Sequence, residues 1–246
     1  MSLGSCRKKL FAGGWKMSNN AEREPMRVLM EALSEHYPRI ALACSFQAED
    51  LVVLDMMLRI EPKARVFSLD TGRLPEETYE LAEKIRHRYQ IEIEWVFPDW
   101  REVETMIRMK GPYSFRESIE NRRECCRIRK VEPMKRALNG LSAWVTGMRR
   151  EQSPTRERVE QVETDEVHGG IRKYNPIVHW TTKQVWDYIR ERGIPFHPFY
   201  WRGYTQIGCA PCTTPVLPAE DPRAGRWRWE SFLTKECGIH VGGDGI

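Results

Sequence analysis

Short apolar runs alternate with amphipathic segments along this chain, and that alternation limits its fold more than any other feature. Ile40–Cys44 is a continuous apolar run of the length of a buried strand. The polar turn Ser45–Asp50 follows it, and Leu51–Arg59 then reads as an apolar helix. Arg65–Leu69 is the next strand, with a turn at Asp70–Gly72. Pro75 is expected at the first position of a helix running to about Tyr89, with Glu76 and Glu77 in the turn where the helix dipole favours negative charge. Ile91–Phe97 alternates like a strand with one wet face, and Ala143–Thr146 is a further strand. Upstream, Met26, Leu29, Met30 and Leu33 form a helical stripe within 24–36. Thr181–Arg192 is a helix that opens with a Thr181/Gln184 capping box and stops at Gly193.

This order predicts an α/β fold: an open, mostly parallel sheet flanked by helices. Ligands of such sheets lie at the carboxyl ends of the strands. The turns at Ser45, Asp70 and Gly147 are therefore expected to meet at one crevice. Beyond about residue 198 the composition shifts to Gly, Pro, Trp and Arg, which predicts a loop-rich C-terminal segment. The expected divisions are a disordered leader over 1–21, one domain over 22–218 and a mobile tail over 219–246.

A chain of 246 residues can bury a substantial core without disulfide staples. No apolar run approaches the roughly 18 residues that a membrane span requires, and no secretory leader is visible. A soluble, cytoplasmic protein is expected. The 39 basic residues are interspersed with 35 acidic ones, so the net charge of +4 does not argue for a nucleic-acid partner. The arginines gather in Met148–Arg158 and Arg223–Arg228, which fits a small anionic ligand.

Seven cysteines in such a chain favour metal or redox roles over disulfides. Cys125 and Cys126 are adjacent, and Cys209 and Cys212 follow in Gly-Cys-Ala-Pro-Cys. Neighbouring side chains diverge, so bringing both sulfurs to a single zinc strains the backbone, whereas a four-iron cluster offers each thiolate its own iron. A cluster is the favoured reading; zinc and a redox disulfide pair are the alternatives. Cys237, in Lys-Glu-Cys-Gly-Ile-His, has Lys235 and His240 nearby to favour a thiolate. Spacing alone leaves it undecided between a nucleophile and an incidental tail cysteine. Cys6 and Cys44 read as incidental or buried thiols.

Several segments suit an anion. Ser45 and Phe46 open a strand-to-helix loop whose backbone N–H groups and hydroxyl form such a site, or an ordinary helix cap. Leu69 and Arg73 bracket a turn able to hold a nucleoside through its backbone. Gly147, Arg149 and Arg156 belong to an arginine-rich loop behind a strand, suited to phosphate or simply solvated. Arg223 and Arg226 are spaced to share one face of a helical turn. Lys130 follows Cys126 by one helical turn, with Pro133 limiting that helix. Trp180, Trp186, Trp201, Trp227 and Trp229 are assigned to packing.

Taken together, Ser-Phe-Gln-Ala-Glu-Asp, Leu-Asp-Thr-Gly-Arg, Cys-Cys-Arg-Ile-Arg-Lys, Thr-Gly-Met-Arg-Arg-Glu-Gln-Ser, Gly-Cys-Ala-Pro-Cys-Thr, Arg-Ala-Gly-Arg-Trp and Lys-Glu-Cys-Gly-Ile-His resemble the adenylyl-sulfate (APS) reductases of assimilatory sulfate reduction, within the wider phosphoadenylyl-sulfate (PAPS) reductase family. The resemblance covers about residues 40–243. It implies an adenine nucleotide α-hydrolase-like fold with a modified phosphate loop. It implies a 4Fe-4S cluster on Cys125, Cys126, Cys209 and Cys212, and Cys237 as the catalytic nucleophile. Lys130, Arg223, Arg226 and His240 match positions that the family uses around the phosphosulfate. Both cysteine pairs are present, which points to APS, with PAPS as an additional or alternative substrate. Ile239 stands where many members have Leu. No thioredoxin-like domain is appended, so a separate thioredoxin or glutaredoxin is expected to supply electrons. No nucleic-acid or membrane partner is implied, and a homo-oligomer is compatible with the sequence. Two other readings are an ATP-using sulfurtransferase of the same fold, which should carry a Ser-Gly-Gly-x-Asp-Ser loop that this chain lacks, and a cluster-binding redox sensor.

Overall fold

The structure is a computed structural model that describes residues 20–230. Its main elements are α1 (Arg23–His36), β1 (Ile40–Ala43), α2 (Ala48–Ile60), β2 (Arg65–Leu69), α3 (Glu76–Tyr89), β3 (Glu94–Val96), α4 (Trp100–Lys110), α5 (Ile119–Cys126), α6 (Glu132–Leu138), β4 (Ala143–Val145), β5 (Val162–Asp165), β6 (Ile171–Tyr174) and α7 (Thr182–Arg192). A π-helical turn, Arg127–Val131, joins α5 to α6.

The six strands form one sheet in the order β3-β2-β1-β4-β6-β5, and only β5 runs antiparallel to its neighbour. The chain winds from β1 outward through β2 and β3, then returns to lay β4 on the other side of β1. Strand order therefore reverses between β1 and β4, which makes their carboxyl ends the topological switch point. Central strands of a parallel sheet are covered on both faces, which is why β1 and β4 read as unbroken apolar runs. Alternate residues serve opposite layers. Leu42 and Val145 join the larger core with Leu29, Leu54 and Ile189. Ala41 and Trp144 join the smaller one with Phe67, Met134 and Leu138.

The alternating pattern predicted this sheet, with local differences. Pro75 is the N-cap of α3, in extended conformation, and the helix begins at Glu76. Pro133 does not limit the helix near the cysteines. The Glu132 N–H reaches back five residues to the Arg127 carbonyl, and α6 starts from this π turn with Pro133 as its second residue. Helix α4 is absent from the sequence reading because Met106 is its one buried residue, although Asp99 caps it by accepting from the Arg101 N–H. The β5–β6 hairpin was missed for a similar reason: its strands are polar and tied by a Lys173–Glu163 ion pair at 2.9 Å. Trp180 and Trp227 are buried as expected, while Trp201 and Trp229 are exposed. Among the described residues, no helix is long and apolar enough to cross a membrane.

At the switch point the loops after β1 and β4 touch. Gly147 donates its N–H to Asp50 Oδ1 at 3.0 Å. A Cβ on Gly147 would stand 2.6 Å from that oxygen and 2.7 Å from the Asp50 nitrogen. Gly147→Ala should therefore destabilise the fold by roughly 1–3 kcal/mol, read as a lower urea midpoint with an unchanged slope.

Candidate active site

A cleft with about 1180 Å³ of atom-free space, counting its open mouth, lies over the carboxyl ends of β1, β2 and β4. Its floor is apolar, with Ala43, Cys44, Phe67, Leu69, Met134 and Trp144. Lys130, Arg156, Arg223 and Arg226 bring cations to its walls. A lining that combines apolar and cationic side chains is chemically suited to a ligand that joins a flat ring to an anion.

Asp50 holds the loops that frame this cleft. One carboxylate oxygen accepts from the Ser45 N–H at 2.7 Å and the Ser45 hydroxyl at 2.6 Å; the other accepts from Gly147. Burial raises the Asp50 pKa from 3.8 to about 6 despite these donors. Phe46, at φ 60°, turns the loop sharply and sends its ring into the core against Trp95.

Three of these cations donate to neutral side chains. Arg223 donates to Gln206 at 3.0 Å and Arg156 to Gln152 at 2.5 Å. Arg226 donates to Thr213 at 2.5 Å and lies 4.6 Å from the centre of the Trp227 ring. Its guanidinium occupies the place a side chain at Gly208 would need, so a larger residue beside Cys209 would displace it. The expected sharing of one turn by Arg223 and Arg226 is observed, closed by the Arg226 N–H donating to the Arg223 carbonyl at 2.9 Å.

Behind this wall, Cys125, Cys126, Cys209 and Cys212 line one small cavity. Helix α5 delivers the first two. The turn after β2 positions the other pair: Thr71 Oγ1 and Cys209 Sγ are 3.2 Å apart, and the Arg73 carbonyl accepts from the Ala210 N–H at 2.8 Å. Arg129 ties the two sides together by donating to the Thr71 carbonyl at 2.6 Å. Burial opposes the Cys209 thiolate, but Lys130, the Thr71 hydroxyl, Arg226 and Arg129 outweigh it and bring its pKa below the ordinary thiol value. Burial raises Cys125, and burial together with the Cys209 charge pushes Cys212 up to about 11. Lys130, Arg226 and Trp227 line both the cleft and the cysteine cavity.

Of the expected ligand-binding residues, Ser45, Leu69, Lys130, Gly147, Arg156, Arg223 and Arg226 line the cleft; Phe46, Arg73 and Arg149 do not. Arg73 lines the cysteine cavity instead. Arg149 is buried in a network with Glu49 at 2.6 Å and Glu151 at 2.8 Å. Cys237 and His240 lie outside the described residues. Asp50, Thr71, Arg122, Arg129, Gln206 and Trp227 were missed as site residues. For Asp50 the spacing to Ser45 in a strand-to-helix loop was the available signal, and for Arg122 the spacing of one helical turn to Cys126.

A family profile, the phosphoadenosine phosphosulfate reductase domain, matches residues 39–215. The chain belongs to this family. An adenosine 5′-phosphosulfate reductase of Burkholderia cepacia is 44% identical over 221 residues, 90% of this chain and 88% of the relative. One from Pseudomonas aeruginosa is 43% identical over 230 residues, covering 92% and 85%. Among solved structures, a PAPS reductase from Candida auris in a phosphate complex superposes with a TM-score of 0.67 at 26% identity, covering 88% of this chain and 98% of that one. An FMN adenylyltransferase from Candida glabrata shares the fold, with a TM-score of 0.59 at 16% identity over 87% of this chain and 70% of that one. The chain is thus an oxidoreductase of the adenine nucleotide α-hydrolase-like fold.

Two expectations follow. Arg149→Met leaves Glu49 without its buried partner and should cost roughly 3 kcal/mol in urea denaturation, whereas Arg156→Met should leave stability nearly unchanged and weaken AMP binding roughly tenfold. Because folding raises the Asp50 pKa, the folded state binds this proton more tightly than the unfolded chain. That contribution favours folding at acid pH and is lost as pH rises from 3.8 to about 6. The stability of the wild type relative to Asp50→Asn should therefore fall by roughly 3 kcal/mol across that window.

Proposed function

We propose that the protein reduces APS to sulfite and AMP in the cytoplasm, with adenosine on the apolar floor of the cleft and the phosphosulfate against Lys130, Arg223 and Arg226. The observation that carries this reading is the shared wall: Lys130, Arg226 and Trp227 line both the cationic cleft and the four-thiol cavity. The similarity to adenosine 5′-phosphosulfate reductases supports the choice of APS.

Cys125, Cys126, Cys209 and Cys212 would hold a 4Fe-4S cluster. Among the described residues, no three His, Cys, Asp or Glu side chains are arranged to hold one metal ion, yet the four thiols surround one cavity. Two buried donors on the cavity wall, Trp227 Nε1 and Arg129 Nε, have no hydrogen-bond partner among the described residues. They fit an occupant that accepts hydrogen bonds, as cluster sulfides do. Such a cluster would add fixed charge in the cavity that Lys130 also lines.

Chemistry falls to the protein's own groups. Lys130, Arg223 and Arg226 orient the phosphosulfate and stabilise the charge that develops on the phosphate oxygen. The Cys237 thiolate attacks the sulfate sulfur, the sulfur–oxygen bond to phosphate breaks, and AMP departs. Cys237 is left as S-sulfocysteine. A thiol of a thioredoxin or glutaredoxin then attacks Cys237 Sγ, sulfite leaves, and the donor's second thiol resolves the mixed disulfide. The donor dithiol supplies both electrons.

Anaerobic incubation with APS, thioredoxin and a reductant should release sulfite, and a parallel reaction with PAPS should release far less. Absence of sulfite from both substrates overturns the reading. Cys237→Ser should abolish the S-sulfo mass increment. Protein prepared without oxygen should contain iron and sulfide in equal amounts and lose both on Cys126→Ala; zinc in their place would contradict the cluster.

A further inference from the structure

Arg122 lies one helical turn before Cys126 on α5 and lines the four-cysteine cavity. Its Nε and Nη2 donate to the two carboxylate oxygens of Glu230, each at 2.8 Å. Both side chains are only 3% exposed. The same guanidinium stands 4.8 Å from the centre of the Trp227 ring, against which Arg226 of the cleft also rests. Burial disfavours the Arg122 charge, and Glu230 and Cys126 both counter that effect.

Stability alone does not account for this pair. Removing two charges from water is costly, and an apolar pair of the same shape is often as stable or more so. A bidentate fork supplies geometry instead, because two parallel hydrogen bonds fix both position and direction. What it fixes is Glu230, seven residues before Cys237 in the sequence. Seven residues reach at most about 24 Å, so the site of Glu230 bounds where that sulfur can act.

We propose that the Arg122–Glu230 pair is an anchor that holds Glu230 fixed, seven residues before Cys237 in the chain, which makes both residues positioning residues for sulfo transfer. The proposal rests on the reading of Cys237 as the nucleophile. It also joins the cysteine cavity to transfer through the protein itself: α5 carries two of the thiols and the anchor together.

The test uses the cluster-loaded full-length protein and three readouts. These are the single-turnover rate of S-sulfo adduct formation by mass spectrometry, AMP affinity, and iron content. Glu230→Gln should slow adduct formation about 10- to 100-fold while AMP affinity stays within about twofold. Iron content should be unchanged, and Glu230→Asp should recover part of the rate. Arg122→Lys, which keeps the charge but loses the fork, should reproduce the slowing. An unchanged rate in both Glu230→Gln and Arg122→Lys overturns the anchor. So does a loss of rate matched by equal losses of AMP affinity and iron, since the pair would then only hold the fold. A wild-type protein that forms no adduct, or a Cys237→Ser protein that still does, overturns the nucleophile reading itself. Normal wild-type adduct with unaffected rates in both variants sinks the anchor alone.

Discussion

One carboxylate holds the two loops of the switch point together. Asp50, at the start of α2, accepts from the Ser45 N–H and hydroxyl on the β1 side and from the Gly147 N–H on the β4 side. Buried donors must be satisfied somewhere, and satisfying both loops on one side chain fixes the width of the cleft between them. Glycine at 147 lets the backbones approach this closely. The β1 loop carries no glycine of its own, so Phe46 takes the positive φ that turns it and is held there by burial of its ring.

The second constraint is the thin wall between the cleft and the cysteine cavity. Lys130 leaves the helix at the π turn that follows Cys126, and Arg226 lies between the Gly208 backbone and the Trp227 ring. A π turn is a frequent device at functional sites because it redirects side chains without ending the helix. Here it also explains how Pro133 is accommodated in the next turn. The cations of the wall depress the Cys209 pKa from one side and face the cleft from the other. A single set of side chains therefore lines the cleft and favours the Cys209 thiolate.

Much of this was legible in the sequence. The runs Ile40–Cys44 and Ala143–Thr146 pointed to the central strands, which span Ile40–Ala43 and Ala143–Val145, and the turn residues after them pointed to the crevice. The cysteine pairs and Lys130, Arg223 and Arg226 were readable as types and spacings. Arg149 was not distinguishable from Arg156, because only the fold brings Glu49, 100 residues away in sequence, to its guanidinium. The Asp70–Arg73 turn showed a ligand-loop pattern, while its hydrogen bonds brace the Cys209 loop, a contact between segments 138 residues apart. Helix α4 and the β5–β6 hairpin bury few apolar side chains, so periodicity carried little signal for them.

The central claim is that a nucleotide occupies the switch-point cleft with its anionic end on the wall shared with the four cysteines. An anaerobic crystal structure of the complex with APS tests it most directly. The account predicts adenine over the carboxyl ends of β1 and β4, and the phosphosulfate in contact with Lys130, Arg223 and Arg226. A nucleotide bound elsewhere on the protein, or one whose sulfate points away from the wall formed by Lys130, Arg226 and Trp227, would contradict it.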